Sequence, residues 1–411
     1  MSNIGNLGVI VAIAVNTIFT LYLVPILLAL FIPHKYSASA KVSNAPKFFS
    51  FAVVIPLYKE KYSNLEATVN SIIAQKYPKN KVKVYFVLEK EDKETYEAVK
   101  RGAEVLKENN ISFLILVRND KRRLGKADAL NYALKHVNED IFLVFDADNI
   151  VPNIYLEDLN AVFHKGYDAT FAKVYRHNNS FHGKLLSLDT VLWYDIILYS
   201  LKKIAKGYVP LSGEGLAVKT EVLKKINGFP RVLTEDAMLA LLLAKHNFKI
   251  LYNGISIHEK APRTLISHLK QRIRWFQGYY QCLKELFKNI LKTNLKVFLG
   301  LLLAYMAPIA ALATMISHSI LITYWVSRIL NIQTVVEIIL SIYGGLIFYW
   351  SLGLLVLGNL FLILMFLYML SDTPKETYAP YVFIMPLYWY LNGILALVAF
   401  FLPRTWRKTE R

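Results

Sequence analysis

Long apolar runs stand near both ends of this chain, at Ile4–Ile32 and across Val297–Leu402, and bracket a charged stretch whose apolar runs stay short. A helix needs about 20 apolar residues to cross a bilayer. The chain is therefore expected to fold as one soluble domain held between membrane helices. Composition agrees. At 55% hydrophobic residues it is too apolar for an ordinary soluble protein, and at 19% charged residues too polar for one wholly inside lipid. No basic residue precedes Ile4, and the run is longer than a signal-peptide core of about 7–15 residues. Lys35, Lys41 and Lys47 follow it, which places the next domain in the cytoplasm and the N-terminus outside.

Charge and cysteine usage narrow the function classes. The net charge of +18 suits a cytoplasmic membrane face and a cleft for a nucleoside diphosphate. No groove-reading motif supports nucleic-acid binding. Cys282 is the only cysteine, so no intrachain disulfide forms, and a reducing cytosol is the simplest home for the soluble part.

Strand-like and helical patterns alternate from Phe51 to Ile257. Strands are expected at Phe51–Ile55, Val82–Leu88, Phe113–Val117 and Ile141–Phe145, with helices at Leu65–Gln75, Thr95–Glu108 and Ala127–His136. This alternation implies an α/β domain with a mainly parallel sheet, whose ligands bind at the carboxyl ends of the strands. Tyr58, Glu60, Glu89, Asp146 and Asp148 all follow strand ends and are expected to converge on one cleft. Thr264–Phe287 reads as an amphipathic interfacial helix with Trp275, Tyr279 and Tyr280 at headgroup level.

The expected organisation is a membrane helix at 1–33, the α/β domain at 48–262, interfacial helices at 263–296, membrane helices at 297–403 and a cytoplasmic tail at 404–411. Val297–Val326 reads as one span. Val335–Leu370 reads as two spans turning near Tyr343–Leu352, or as a single long tilted helix, and Tyr381–Leu402 as the last. One span before the domain and four after it keep the basic tail inside.

Four strings carry the chemistry. Asp146-Ala147-Asp148 offers two carboxylates at a strand end, suited to Mg²⁺ or Mn²⁺ shared with phosphate. Ser212-Gly213-Glu214-Gly215 follows. In Thr234-Glu235-Asp236, Thr234 suits a helix N-cap, and the acids suit either the helix dipole or proton abstraction. In Gln271-Arg272-Ile273-Arg274-Trp275, helical spacing puts Gln271, Arg274 and Trp275 on one face.

In this order and spacing the strings resemble the membrane-embedded inverting glycosyltransferases of family two, which include cellulose, chitin-oligosaccharide and hyaluronan synthases. The resemblance implies a GT-A fold with a helical transmembrane region, a nucleotide-sugar donor such as a UDP-sugar, and a divalent metal. It implies Asp148 and Asp146 at the metal, with Asp146 near the ribose. Pro56, Tyr58, Glu60, Glu89, Lys126 and Arg274 would bind the nucleotide, Lys126 from a Gly-Lys-Ala string and Arg274 through the diphosphate. Asp236, with Glu235 beside it, would be the general base. Gly213, Glu214, Gln271 and Trp275 would form the acceptor platform. Two departures stand out: Lys59 replaces an Asn common in relatives, and Glu89 replaces an Asp. Trp406, Thr409 and Arg411 resemble a gating loop that covers the nucleotide; a basic membrane anchor is the competing reading.

The implied activity is extension of a β-linked glycan at the plasma membrane, processive and coupled to export, with the catalytic domain in the cytoplasm. The alternative is a single addition to a lipid such as ceramide or a polyprenyl phosphate. A transport or scaffold protein with a dead transferase domain is the third class, and intact Asp148, Asp236 and Trp275 argue against it.

Overall fold

A computed structural model of the chain describes residues 2–30, 47–119, 125–177, 180–205, 207–370 and 375–403. The 404–411 tail, with Trp406, Thr409 and Arg411, lies outside the described residues.

Seven strands form one mixed sheet: β1 (Phe51–Pro56), β2 (Val82–Glu89), β3 (Ser112–Arg118), β4 (Ile141–Val144), β5 (Ala169–His177), β6 (Leu216–Lys219) and β7 (Ile250–Lys260), in the order β3-β2-β1-β4-β6-β5-β7. β1 to β4 are parallel, β6 runs antiparallel between β4 and β5, and β5 pairs parallel with β7. The continuous apolar run of β1 reflects burial on both faces. Ala52 and Val54 join one core, while Phe51, Val53 and Ile55 join the other. The domain helices are α2 (Tyr62–Ile73), α3 (Lys93–Glu108), α4 (Lys126–Leu134), α5 (Tyr155–His164), α6 (Phe181–Val191), α7 (Tyr199–Ile204), α8 (Thr220–Lys225) and α9 (Glu235–Lys245); α1 (Ser2–Leu30) precedes them. A π-helical turn, Leu192–Leu198, joins α6 to α7.

The first loop after β1 is held from α3. Asp92 caps that helix by accepting from the Thr95 amide at 3.2 Å and the Thr95 hydroxyl at 2.7 Å. It also accepts from the Lys59 amide, and Lys59 adopts a left-handed φ of 53°. Asn tolerates that conformation better than a long side chain does. Asp92→Ala is expected to cost about 1–2 kcal/mol, the usual worth of a cap. It should also free the 58–60 loop, read as a lower melting temperature with new protease cleavage there.

The helices after the domain are α10 (Leu265–Lys288), α11 (Leu295–Tyr305), α12 (Ala307–Ile329), α13 (Gln333–Ile342), α14 (Leu346–Leu370) and α15 (Met385–Phe401). Among the described residues, four helices are long and apolar enough to span: Asn6–Leu28, Ala307–Ile329, Leu346–Leu370 and Thr377–Phe401. Three of these follow the domain, where the sequence suggests four. Of two breaks, the second accounts for the difference. The first run divides at Met306, leaving α11 short and Pro308 in the first turn of α12, where its missing N–H costs nothing. The second divides at Tyr343–Gly345, with Gly345 at φ 58°. At 1.5 Å per residue, the 10-residue α13 reaches only about half the hydrocarbon core.

α1 packs against α12, α13 and α14. Asn16 donates to Ser351 and the Trp350 indole to Thr20, both at 2.8 Å. Such bonds tie helices together in lipid.

α15 packs on both α12 and α10. It runs beside α10 in the same direction. Tyr388 bonds His268 and Arg272, Leu395 and Ala396 pack on Phe276, Tyr280 donates to the Ala396 carbonyl, and Gln277 donates to the Leu402 carbonyl. Just before α15, Tyr381 meets Lys184 on the soluble domain. α15 also packs antiparallel along α12, where Gly393 meets Ala311 and Met315 and Tyr390 bonds Ser319.

The α10 aromatics also differ from expectation. Trp275 and Tyr279 turn into an internal cavity, and Tyr280 packs on α15. Leu265, Ile266, Phe287, Ile290 and Leu291 are the exposed apolar groups on and just after this helix. Partners on the domain, α11 and α15 hold these rings inside the fold.

Candidate active site

Four segment ends meet in a cavity of about 930 Å³. The start of α4 brings Lys126, the end of β4 Asp146, the loop before β6 Gly213 and Glu214, and the start of α9 Glu235 and Asp236. Gln271, Arg274 and Trp275 of α10 form a further wall. The loop enters β6 through Gly215, whose φ is 63°. A Cβ there would stand 2.5 Å from Ile257 and 2.7 Å from the Tyr155 hydroxyl, so only glycine fits.

Lys126 donates to Asp146 at 2.6 Å and to the Gly213 carbonyl at 3.1 Å. A Cβ built on Gly213 would lie 3.2 Å from both the Asp236 carboxylate and the Lys126 ammonium. Gly213 therefore leaves room for these two groups to approach one another. Burial lowers the proton affinity of Lys126, but Asp146, Glu214 and Glu235 outweigh it and raise the pKa.

Two adjacent carboxyls are held above the ordinary carboxylate range. Burial raises the Glu235 pKa, with Asp236 adding to the effect. Burial also raises that of Asp236, with Glu214 next in weight, while Lys126 and Arg274 partly offset both. Asp236 accepts from the Ala237 amide at 2.8 Å. Thr234 occupies the N-cap position of α9 but makes no side-chain cap; its hydroxyl turns toward Cys282. A carboxylate with raised proton affinity in a water-poor cavity is suited to accept a proton from a neutral hydroxyl.

A second carboxylate cluster was not legible in the sequence strings. One oxygen each from Asp146, Glu214 and Glu259 lies within 4.8 Å of the others. Arg176 pairs with both Glu214 and Glu259. Its guanidinium and that of Arg272 lie 5.1 and 4.9 Å from the Trp275 ring centroid. From the π-helical turn, Tyr194 bonds Ser212 at 2.9 Å, and Ser212 donates to Glu214 at 2.8 Å. Arg176 and Glu259 stand in no motif; only the fold brings them here.

All-carboxylate donors fit a hard divalent cation such as Mg²⁺ or Mn²⁺. Each of the three already pairs with a cation, Asp146 with Lys126 and the two glutamates with Arg176.

The residues after the strand ends divide at the cavity wall. Asp146 faces the cavity, whereas Pro56, Tyr58, Glu60, Glu89 and Asp148 do not line it. Glu89 is buried against Arg118 at 3.2 Å. Glu60 accepts from Asn64 at 3.2 Å. Asp148 is 5% exposed.

Comparison with known proteins matches this arrangement. The sequence model of Glycosyltransferase like family 2 matches residues 46–278. A probable glycosyltransferase of Sulfolobus acidocaldarius is 22% identical over 62% of this chain and 54% of its own length. Poly-beta-1,6-N-acetyl-D-glucosamine synthase of Staphylococcus aureus is 24% identical over 63% of this chain and 62% of its own. The aligned part thus spans less than two thirds of each relative. A mannosyltransferase of Pyrobaculum calidifontis, solved with GDP-Man and Mn²⁺, shares the fold over 96% of this chain and 98% of its own, with a TM-score of 0.61 at 20% identity. The family match covers more than half of the chain and falls on the segment that builds the cavity: this protein is a membrane-associated, GT-A-fold enzyme of the family two glycosyltransferases.

Proposed function

We propose that the enzyme transfers a sugar, with inversion, from a nucleoside diphosphate sugar to a hydroxyl of a lipid-anchored acceptor at the cytoplasmic face of a membrane. One observation carries this reading. The cavity that holds Lys126, Asp146 and Asp236 continues among the membrane helices, where Phe19, Leu23, Ile339, Leu352, Leu355 and Leu362 line it. Asn16, Thr314, Ser317, His318, Ser351 and Asn359 line it too, and the apolar groups among them suit an acyl or isoprenoid chain.

The donor diphosphate would sit against Lys126 and Arg274, which counter its charge. Asp236 takes the proton of the acceptor hydroxyl. The acceptor oxygen bonds the anomeric carbon from the face opposite the diphosphate, and the carbon–oxygen bond to the diphosphate breaks, leaving its electron pair on the nucleotide. Glu235, buried beside Asp236, keeps the proton affinity of the pair high. Gly213 and Trp275 flank the acceptor. A divalent ion at Asp146 and Asp148 would stabilise the leaving diphosphate.

The test is product partition. Enzyme in nanodiscs of native lipid is given radiolabelled UDP- and GDP-sugars with Mn²⁺. Label is expected in an organic-extractable product of fixed size. A water-soluble ladder that lengthens with time would instead establish a processive synthase.

A further inference from the structure

The cavity wall supplied by α15 takes no part in the steps above. Pro386, Trp389 and Asn392 line it at helical spacing, on one face. Asn392 is 5% exposed and sits in an apolar helix; its amide N–H bonds the Tyr388 oxygen, while its Oδ1 has no hydrogen-bond partner among the described residues. A buried amide oxygen without a donor is unfavourable, and a native site that keeps one is suited to a ligand that brings the donor. A hydrocarbon tail brings none. A sugar hydroxyl does.

The place of Asn392 is defined by its helical neighbours. Tyr388, one turn before it, bonds Arg272, and Leu395 and Ala396, one turn after it, pack on Phe276. Asn392 therefore stands opposite the Arg272–Phe276 turn of α10, which carries Trp275. Gln271, 2% exposed, lines the same cavity. Two indoles, Trp275 and Trp389, and two primary amides, Gln271 and Asn392, thus share one wall. Indole faces suit the C–H face of a pyranose, and amides suit its hydroxyls.

We infer that α15 forms a second saccharide subsite, in which Trp389 and Asn392 hold the sugar next to the one that bears the attacking hydroxyl. The acceptor therefore arrives already glycosylated. This inference rests on the transfer reading above and adds the head group of its acceptor. Donor-side residues Lys126 and Asp146 are remote from α15 in sequence and join the cavity from other elements, so donor binding gives a separate readout.

Binding of radiolabelled dodecyl glycosides to the full-length enzyme in nanodiscs tests the subsite. Dodecanol, dodecyl β-glucoside and a set of dodecyl disaccharides (maltoside, cellobioside, lactoside) serve as probes. The wild type is expected to bind at least one disaccharide probe roughly ten-fold more tightly than the glucoside, the worth of one well-placed hydrogen bond and a stacking contact. Asn392→Leu, of matching shape, should bring the two within about two-fold, while Asn392→Asp, which keeps an acceptor oxygen, retains most of the preference. UDP and GDP binding reports whether each variant is folded. Equal affinity of the wild type for all probes, or an unchanged preference in folded Asn392→Leu, overturns the subsite. Competition by free maltotetraose or cellotetraose would assign the subsite's sugar to a free glycan, and competition by dodecyl glycosides alone to a lipid-linked one. A wild type that shows the preference but transfers no sugar from any donor would reject the transferase reading and leave the subsite standing.

Discussion

Asp236→Asn is expected to lower turnover by roughly 10² to 10⁴, the usual contribution of a positioned base, with nucleotide-sugar affinity retained. The same variant should be more stable than the wild type at pH 8. Burial pushes the Asp236 pKa from 3.8 up to about 6. The folded protein then binds that proton more tightly than the unfolded chain does. The cost of ionising the group is absent below the unfolded value and complete above the folded one. Ionising Asp236 in the folded protein is therefore unfavourable at pH 8, and the asparagine removes that cost. Melting temperatures measured at pH 8 and pH 4.5 should show a gain at the first that shrinks at the second. Turnover of the wild type should fall as the pH drops through about 6. A variant that binds nucleotide poorly and turns over normally would make Asp236 a structural residue.

Removal of divalent ions is expected to have a comparable effect. Chelation should reduce turnover by about 10²-fold or more, since metal stabilisation of a leaving diphosphate is worth several kcal/mol. Mn²⁺ or Mg²⁺ should restore it. Asp148→Ala should abolish the metal-dependent part of nucleotide binding. Lys126 complicates Asp146 in an informative way, because it already pairs with that carboxylate at 2.6 Å. Asp146→Asn releases this ammonium, so it should weaken metal dependence while retaining part of the nucleotide affinity. Full activity of the wild type in chelator would remove the metal from the account.

The readable part of this chain was its local pattern. Doubly buried strands such as Phe51–Pro56 announce themselves as unbroken apolar runs, because alternate residues face two different cores. Asp146, Gly213, Glu214, Glu235, Asp236, Gln271, Arg274 and Trp275 were singled out in short strings, and the fold gathers them around one cavity. Lys126 joins them from the start of α4. What stayed hidden depends on partners distant in sequence. Arg176 and Glu259 meet only because β5 and β7 pair in register. Glu89 follows a strand like the others, but Arg118 at the matching position of β3 captures it. Hydropathy gives Thr377–Phe401 the composition of a span, yet says nothing of its pairing with α10. The break at Met306 is marked in the sequence only by Pro308, which opens α12.

The claim on which the rest depends is that the acceptor reaches Asp236 from the bilayer through the cavity. Gly358 of α14 lines that cavity, and a side chain built there meets nothing within 4 Å. Gly358→Trp would therefore fill the lipid-facing part without displacing the donor residues. The decisive measurement is sugar transfer to lipid by this variant in nanodiscs, beside its affinity for the nucleoside diphosphate. The account predicts wild-type nucleotide affinity with transfer to lipid lost. Undiminished transfer by the filled enzyme would contradict it.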